Sequence, residues 1–222
     1  MHLLRSTQDR DIVVGVTASL DTTPRPRRRD QQRDETRRDL ALTAFRLATS
    51  HGLANVRVPD IAAAVGVSPR TFNNYFHSKE EAIVWPAAQH AASVASRLRD
   101  RPAGEPLGDA LVAAVVGLYG PPAGERLPAN WLRDFRDLVA AEPSLHGEYL
   151  RAASTAERAL ADAVAERMGG PAGQLRARVV AGMVVGAERA AVVHWMQTRD
   201  GSLVDTVRTA VRQATAGLGG AS

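Results

Sequence analysis

The sequence predicts an all-α fold, and three observations carry that prediction. Apolar residues recur at i, i+3, i+4 and i+7 in one segment after another from Arg33 to Leu218. Clusters of Gly and Pro separate these segments, and no run shows the period-two alternation or turn chemistry of a hairpin. No repeat of fixed period is present, so the helices belong to a globular arrangement rather than a solenoid.

Residues 1–29 stand apart. The apolar run Ile12 to Leu20 opens after Asp9 and Asp11 and has no small-x-small site before Asp21, so it is not read as a secretory signal. Thr22 to Arg29 reads TTPRPRRR, and two prolines among four arginines predict an extended basic arm. Residues 1–29 are therefore expected to be disordered. Two readings of the arm stay open, a tail entering a minor groove and a solvated charge run.

The first helix is expected from Arg33 to Ser50. Leu40, Ala44, Leu47 and Ala48 form its apolar stripe with Phe45 beside them, and Arg33, Arg37 and Arg38 take the opposite face. His51-Gly52 ends it, with His51 favourably placed near the C-terminal end of the dipole. Ile61, Ala62 and Val65 then make a short stripe that Gly66 stops, because glycine adopts the left-handed conformation most cheaply. Ser68 is an N-cap residue and Pro69 suits the first helical position, where its missing N–H has no partner to lose. Phe72, Tyr75 and Phe76 at i, i+3 and i+4 face inward, leaving Arg70, Thr71, Asn73 and Asn74 outside. Two short helices around a glycine turn, the second basic and amide-rich on its outer face, form a helix-turn-helix. Phe45, Leu53, Val56, Ile61, Val65, Phe72 and Phe76 are the expected core of this head.

Ser78 caps the next helix, with Glu80 and Glu81 in its first turn. It should continue to about Arg99, and Pro86 inside it predicts a kink. A loop follows from Asp100 to Gly108, then an apolar helix from Leu107 to Tyr119 stopped by Gly120-Pro121-Pro122. Leu127 to Ala141 is amphipathic, with Trp131, Leu132, Phe135 and Leu138 on one side, and Pro143 opens a helix reaching Met168. Leu175 to Gln197 is apolar nearly all round and must be covered on several sides, but Arg176, Arg178, Glu188 and Arg189 argue against a membrane span. Leu203 to Leu218 is a final amphipathic helix. These last two helices carry more apolar surface than one domain buries, which predicts a homodimer through a shared four-helix bundle.

With 222 residues and 45% hydrophobic composition, the chain can bury a full core. The absence of cysteine excludes disulfides and thiolate metal sites, and the histidines show no HxxxH spacing, so no metal or cofactor is expected. There is neither a GxSxG elbow nor a Gly-rich phosphate loop, and the chain is not read as an enzyme. The net charge of +4 suits a polyanion, and the crowding of Arg25, Arg27, Arg28, Arg29, Arg33, Arg37 and Arg38 beside the head locates that affinity. A small-molecule effector is expected among Trp85, His90, Trp131, Phe135, Tyr149, Met183, Glu188, His194 and Trp195, because ligand sites are mostly apolar with a few placed polar groups. Glu188 and His194 are the polar members.

Ile61-Ala62, Gly66-Val67-Ser68, Thr71-Phe72, Tyr75-Phe76 and Ser78-Lys79-Glu80 resemble the motif of the TetR/AcrR family of bacterial transcriptional regulators, over Arg33 to Ile83. The resemblance implies a three-helix DNA-binding domain at 30–80 and a helical ligand-binding and dimerisation domain at 81–222. It also makes the helix after Ser78 a lever between them. It implies a cytoplasmic repressor that leaves a palindromic operator when a hydrophobic effector binds, an aromatic natural product, an antibiotic or a fatty acyl-CoA. Arg70, Thr71, Asn73 and Asn74 would read bases. Arg57, Ser68, Pro69, Tyr75, His77 and Lys79 would complete the contact, with Lys79 at the motif position that meets phosphate. Arg57 departs from the family's usual Thr and offers no hydroxyl cap. Two rival readings are a non-specific DNA-architectural protein, and a helical carrier or enzyme with a vestigial head.

Overall fold

A computed structural model of the chain describes residues 28–119, 130–169 and 173–218. Their regular structure is entirely helical: α1 (Arg28–His51), α2 (Val58–Val65), α3 (Pro69–Asn73), α4 (Lys79–Arg99), α5 (Leu107–Val116), α6 (Trp131–Ala141), α7 (Pro143–Arg167), α8 (Gln174–Thr198) and α9 (Leu203–Thr215), with 3-10 turns at Leu53–Asn55 and Gly117–Tyr119. The all-α expectation holds. Helix α1 starts at Arg28, inside the span expected to be a disordered arm and earlier than the apolar stripe announces. Its first turns are Arg, Asp and Gln, which propagate a helix without an apolar face. The expectation for residues 1–27 lies outside the described residues, as does the start of the sixth helix expected at Leu127.

Helices α1, α2, α3 and the start of α4 close around one apolar centre. Leu40, Ile61, Phe72, Phe76 and Ile83 are fully buried there, and Phe45, Leu53 and Val56 nearly so, while Val65 packs at the margin. Phe72 and Phe76 meet at 5.7 Å between ring centroids. Arg37 is not on the solvent face. It is half-buried on α1, with its guanidinium 5.3 Å from the Phe76 ring centre and 5.6 Å from that of Trp85, a cation–π arrangement that ties α1 to the end of the head.

Helix α4 is continuous through Pro86, which is buried. Its first turns bury Ala82, Ile83 and Val84 in the head, and its last turns bury Val94, Ala95 and Leu98 in the second core. Helix α4 thus belongs to both bodies, so a cut at residue 80 divides the sequence but not the packing. The second core gathers α5, α7, α8 and α9 around that end of α4, with α7 lying along α4 and α8 between α7 and α9. Arg167 fastens the α4–α5 loop by donating to the carbonyls of Arg101 at 3.1 Å, Pro102 at 2.6 Å and Glu105 at 3.0 Å.

Helix α8 is the one described helix long and apolar enough to cross a membrane by length and composition. In the fold its Ala177, Val180, Ala181, Val184 and Val192 face the second core. Leu175, Val179 and Met183, four residues apart, remain exposed as a second apolar stripe at 77%, 52% and 44%.

Phe72→Ala removes a fully buried ring from the centre of the head. It is expected to lower unfolding stability by about 3–5 kcal/mol, measured by urea denaturation.

Candidate DNA-reading surface and ligand cavity

The turn between α2 and α3 follows from Gly66, whose φ of 78° is open to glycine and strained for other residues. Its N–H reaches Ala63 O at 3.1 Å, and Val67 N–H reaches Ala62 O at 2.9 Å, closing the end of α2 in a Schellman pattern. Ser68 Oγ then accepts from Thr71 N–H at 3.1 Å and lies 2.9 Å from Thr71 Oγ1, so both hydroxyls serve the cap of α3. Pro69, Arg70, Asn73 and Asn74 are exposed, and the last three make no side-chain hydrogen bond among the described residues. They are the side chains left over for an external partner. Thr71 is half-buried and committed to Ser68.

Arg57 is extended and exposed at the N-cap of α2, without a side-chain capping bond, as its lack of a hydroxyl requires. Tyr75 is half-buried beneath Arg33, and its carbonyl accepts from Arg37. His77 projects into solvent beside Glu81, with Nδ1 and Oε2 3.0 Å apart. Lys79 departs from its expected role. Its ammonium donates to Leu53 O at 2.7 Å and Val56 O at 2.9 Å, closing the 3-10 turn that joins α1 to α2. Two of its protons are occupied within the head.

Between the head and the second core lies a cavity of about 230 Å³. Its wall comes from α4, α5 with its 3-10 extension, α6, α7 and α8. Of the residues expected at an effector site, His90, Trp131, Phe135, Tyr149 and Glu188 line it. Trp85, Met183, His194 and Trp195 do not. Trp85 turns toward the head, edge-on to Phe76 at 6.2 Å. Met183 faces outward, and His194 borders a separate surface groove between α8 and α9. Trp195 donates to Gly201 O at 3.1 Å under the guanidinium of Arg199. Helical phase decides each case, since all are apolar or aromatic residues at plausible spacing.

Sequence reasoning missed Tyr119 and Arg136, which also line the cavity. Arg136 follows Leu132 by one helical turn and so puts a charge on the apolar side of α6, a signal present in the pattern. Tyr119 had no such signal. Its hydroxyl donates to Glu188 Oε1 inside the wall. Burial pushes the Glu188 carboxyl up from its ordinary value, against the Tyr119 hydrogen bond and the charges of Arg136 and Arg189, which pull it down. Burial, then the Glu188 charge, holds the Tyr119 phenol in its neutral form.

The aromatic wall continues into the head. Trp131 stacks on Phe135 at 5.2 Å with 14° between planes, Phe135 meets Tyr149 edge-on at 5.9 Å, and Trp131 lies 6.2 Å from Phe45 of α1. Trp131 and Phe135 are thus part of the head's core and of the cavity wall at once.

Known proteins share both halves. Residues 42–82, which span every expected DNA-contact side chain, match the profile of the bacterial regulatory proteins of the tetR family, and residues 105–219 match that of the MftR C-terminal domain. Over 157 residues the chain is 34% identical to the HTH-type transcriptional regulator TcmR of Streptomyces glaucescens, across 69% of this chain and 70% of that protein. The chain belongs to the TetR family. Another TetR-family relative is MftR of Mycobacterium tuberculosis, named for mycofactocin biosynthesis regulation, 28% identical over 196 residues that cover 88% of this chain and 97% of MftR. A TetR-family regulator from Streptomyces coelicolor shares the fold with a TM-score of 0.51, at 18% identity over 82% of this chain and 80% of that one. As a TetR-family member the protein is a DNA-binding transcriptional regulator and not an enzyme.

Two expectations follow. Glu188 ionises near 4.5 when unfolded and higher when folded, so the unfolded chain loses this proton first. Its contribution is greatest below that value and falls as pH rises through the folded one. Glu188→Gln keeps an acceptor for Tyr119 and should flatten the decline, seen as a wild-type melting temperature that drops more steeply than the variant's with rising pH. Lys79→Met should lower stability by about 1–3 kcal/mol through the two stranded carbonyls. It should leave the salt slope of DNA binding unchanged, whereas loss of a phosphate contact would reduce that slope by about one.

Proposed function

We propose that the protein is a ligand-responsive repressor that binds a palindromic operator as a homodimer and leaves it when a hydrophobic small molecule fills the cavity. The observation that carries this reading is the double membership of Trp131 and Phe135, in the head's core and in the cavity wall. A ligand that shifts these rings changes the packing of α6 on α1. Its effect is bounded by its differential affinity for the operator-competent and operator-incompetent arrangements.

The remaining parts fit the same reading. The exposed stripe Leu175, Val179 and Met183 on α8 supports a seam with a second copy, α8 and α9 of each subunit forming the bundle. Such a dimer presents two α3 helices about 34–36 Å apart or a multiple of that, which calls for half-sites on one face of the duplex. Arg70 suits guanine, and Asn73 and Asn74 suit adenine. Arg57 and His77, both exposed, are placed in the reading as backbone contacts, with Pro69 against the groove wall. A cavity of about 230 Å³ lies below the roughly 300–1,000 Å³ of drug-sized sites. It therefore favours a one- or two-ring aromatic body or part of an acyl chain over a whole acyl-CoA.

The test is binding of the purified protein to its own upstream intergenic DNA against scrambled DNA of equal length, at about 150 mM salt. A preference of roughly a thousandfold or more is expected. Arg70→Ala should reduce that preference by about 1–3 kcal/mol while leaving the melting temperature unchanged. Equal binding to both DNAs would instead mean a non-specific architectural protein.

A further inference from the structure

We propose that the cavity selects aromatic acids, with the ligand's carboxylate seated on Arg136 and its ring against Trp131 and Phe135. The inference rests on the reading of the cavity as an effector site and adds the chemistry of what it takes. Arg136 is half-buried on α6 and lines the cavity, yet its guanidinium makes no ion pair or hydrogen bond among the described residues. Its Nε is enclosed without a partner, and so is Nε1 of Trp131 one and a half turns earlier on the same helix. Unpartnered buried donors are costly, most of all when charged, and an arginine fork matches a planar carboxylate bidentately.

The acid already present does not meet this need. Glu188 lies beyond ion-pair distance of Arg136 and gives Oε1 to the Tyr119 hydroxyl, and burial favours its neutral form. The groups that act on Glu188 are Tyr119, Arg136 and, from its own helix, Arg189; Tyr149, which acts on Tyr119, and His90 line the same cavity from α7 and α4. Burial disfavours the charged form of Glu188, and the Arg136 guanidinium is a cation that lines the cavity. The parallel stack of Trp131 on Phe135 supplies a flat face for a ring. The cavity volume limits that ring system to one or two rings.

The experiment is isothermal titration of the full-length protein with 2-naphthoate and with its neutral isostere 2-naphthamide, near neutral pH. Naphthoate should bind at least about tenfold more tightly. Arg136→Gln should bring the two ligands to within roughly twofold of one another while keeping naphthamide affinity. Naphthoate affinity in the wild type should also fall as pH rises and Glu188 ionises, and Glu188→Gln should remove that dependence. This second variant keeps the proposal testable if Arg136→Gln fails to fold. The proposal is overturned if naphthoate binds no better than naphthamide, if the preference survives in Arg136→Gln, or if neither ligand binds.

Operator release is read separately by fluorescence anisotropy on the intergenic DNA. Arg136-dependent naphthoate binding that leaves DNA bound would keep the acid selectivity and refute the ligand-responsive repressor. Release by naphthamide as effective as by naphthoate would keep the repressor and refute the selectivity.

Discussion

The contact of Trp131 with Phe45 is the constraint on which the rest of the structure depends. Two separate apolar cores could have been joined only by the covalent continuity of α4. Instead, α6 inserts Trp131, Phe135 and Val139 into the core of the head, while the same two aromatic rings close one side of the cavity. Close-packed interiors respond to added volume by shifting between discrete arrangements rather than by local compression. A ligand in this cavity is therefore one ring away from α1, the helix against which the helix-turn-helix is packed.

A second constraint is electrostatic. The cavity is mostly apolar, yet it contains a carboxyl, a phenol and a guanidinium contributed by three different elements. In such surroundings a charge without a partner is expensive: burial disfavours the charged form of Glu188, and the Tyr119 hydroxyl that donates to it offsets part of that cost. The charged groups of α8 that argue against a membrane span serve different ends. Glu188 turns into the cavity, whereas Arg176, Arg178 and Arg189 lie exposed beside the apolar stripe.

The head shows how local chemistry and tertiary contacts divide the work. Gly66, Ser68 and Pro69 shape the turn and the cap unaided, through a left-handed residue, a hydroxyl and a preset φ. The elements around α3 are joined by more distant contacts: Arg37 over Phe76 and Trp85, and the Lys79 ammonium across two carbonyls. Both cations stood in the sequence as surface or phosphate-facing charges. Each has a long apolar stem and a head that can find carbonyls or ring faces within the protein, so its destination depends on packing.

The sequence by itself determined the helices, because their apolar period and their Gly, Pro and Ser punctuation are local properties. It determined the exposed face of the second short helix as well, since Arg70, Asn73 and Asn74 are what remains once Phe72 and Phe76 turn inward. Five of the cavity-lining residues were also legible, from being aromatic or ionisable at helical spacing. The tertiary structure alone decided the rest. Trp85 and Trp131 are equally plausible ligand contacts on paper, and only the rotation of α4 and α6 about their axes sends the first to the head and the second to the cavity. Tyr119 and Glu188 are 69 positions apart in sequence. Their pairing exists because the 3-10 turn after α5 and helix α8 border the same cavity, and one-dimensional periodicity contains no term for a meeting between helices.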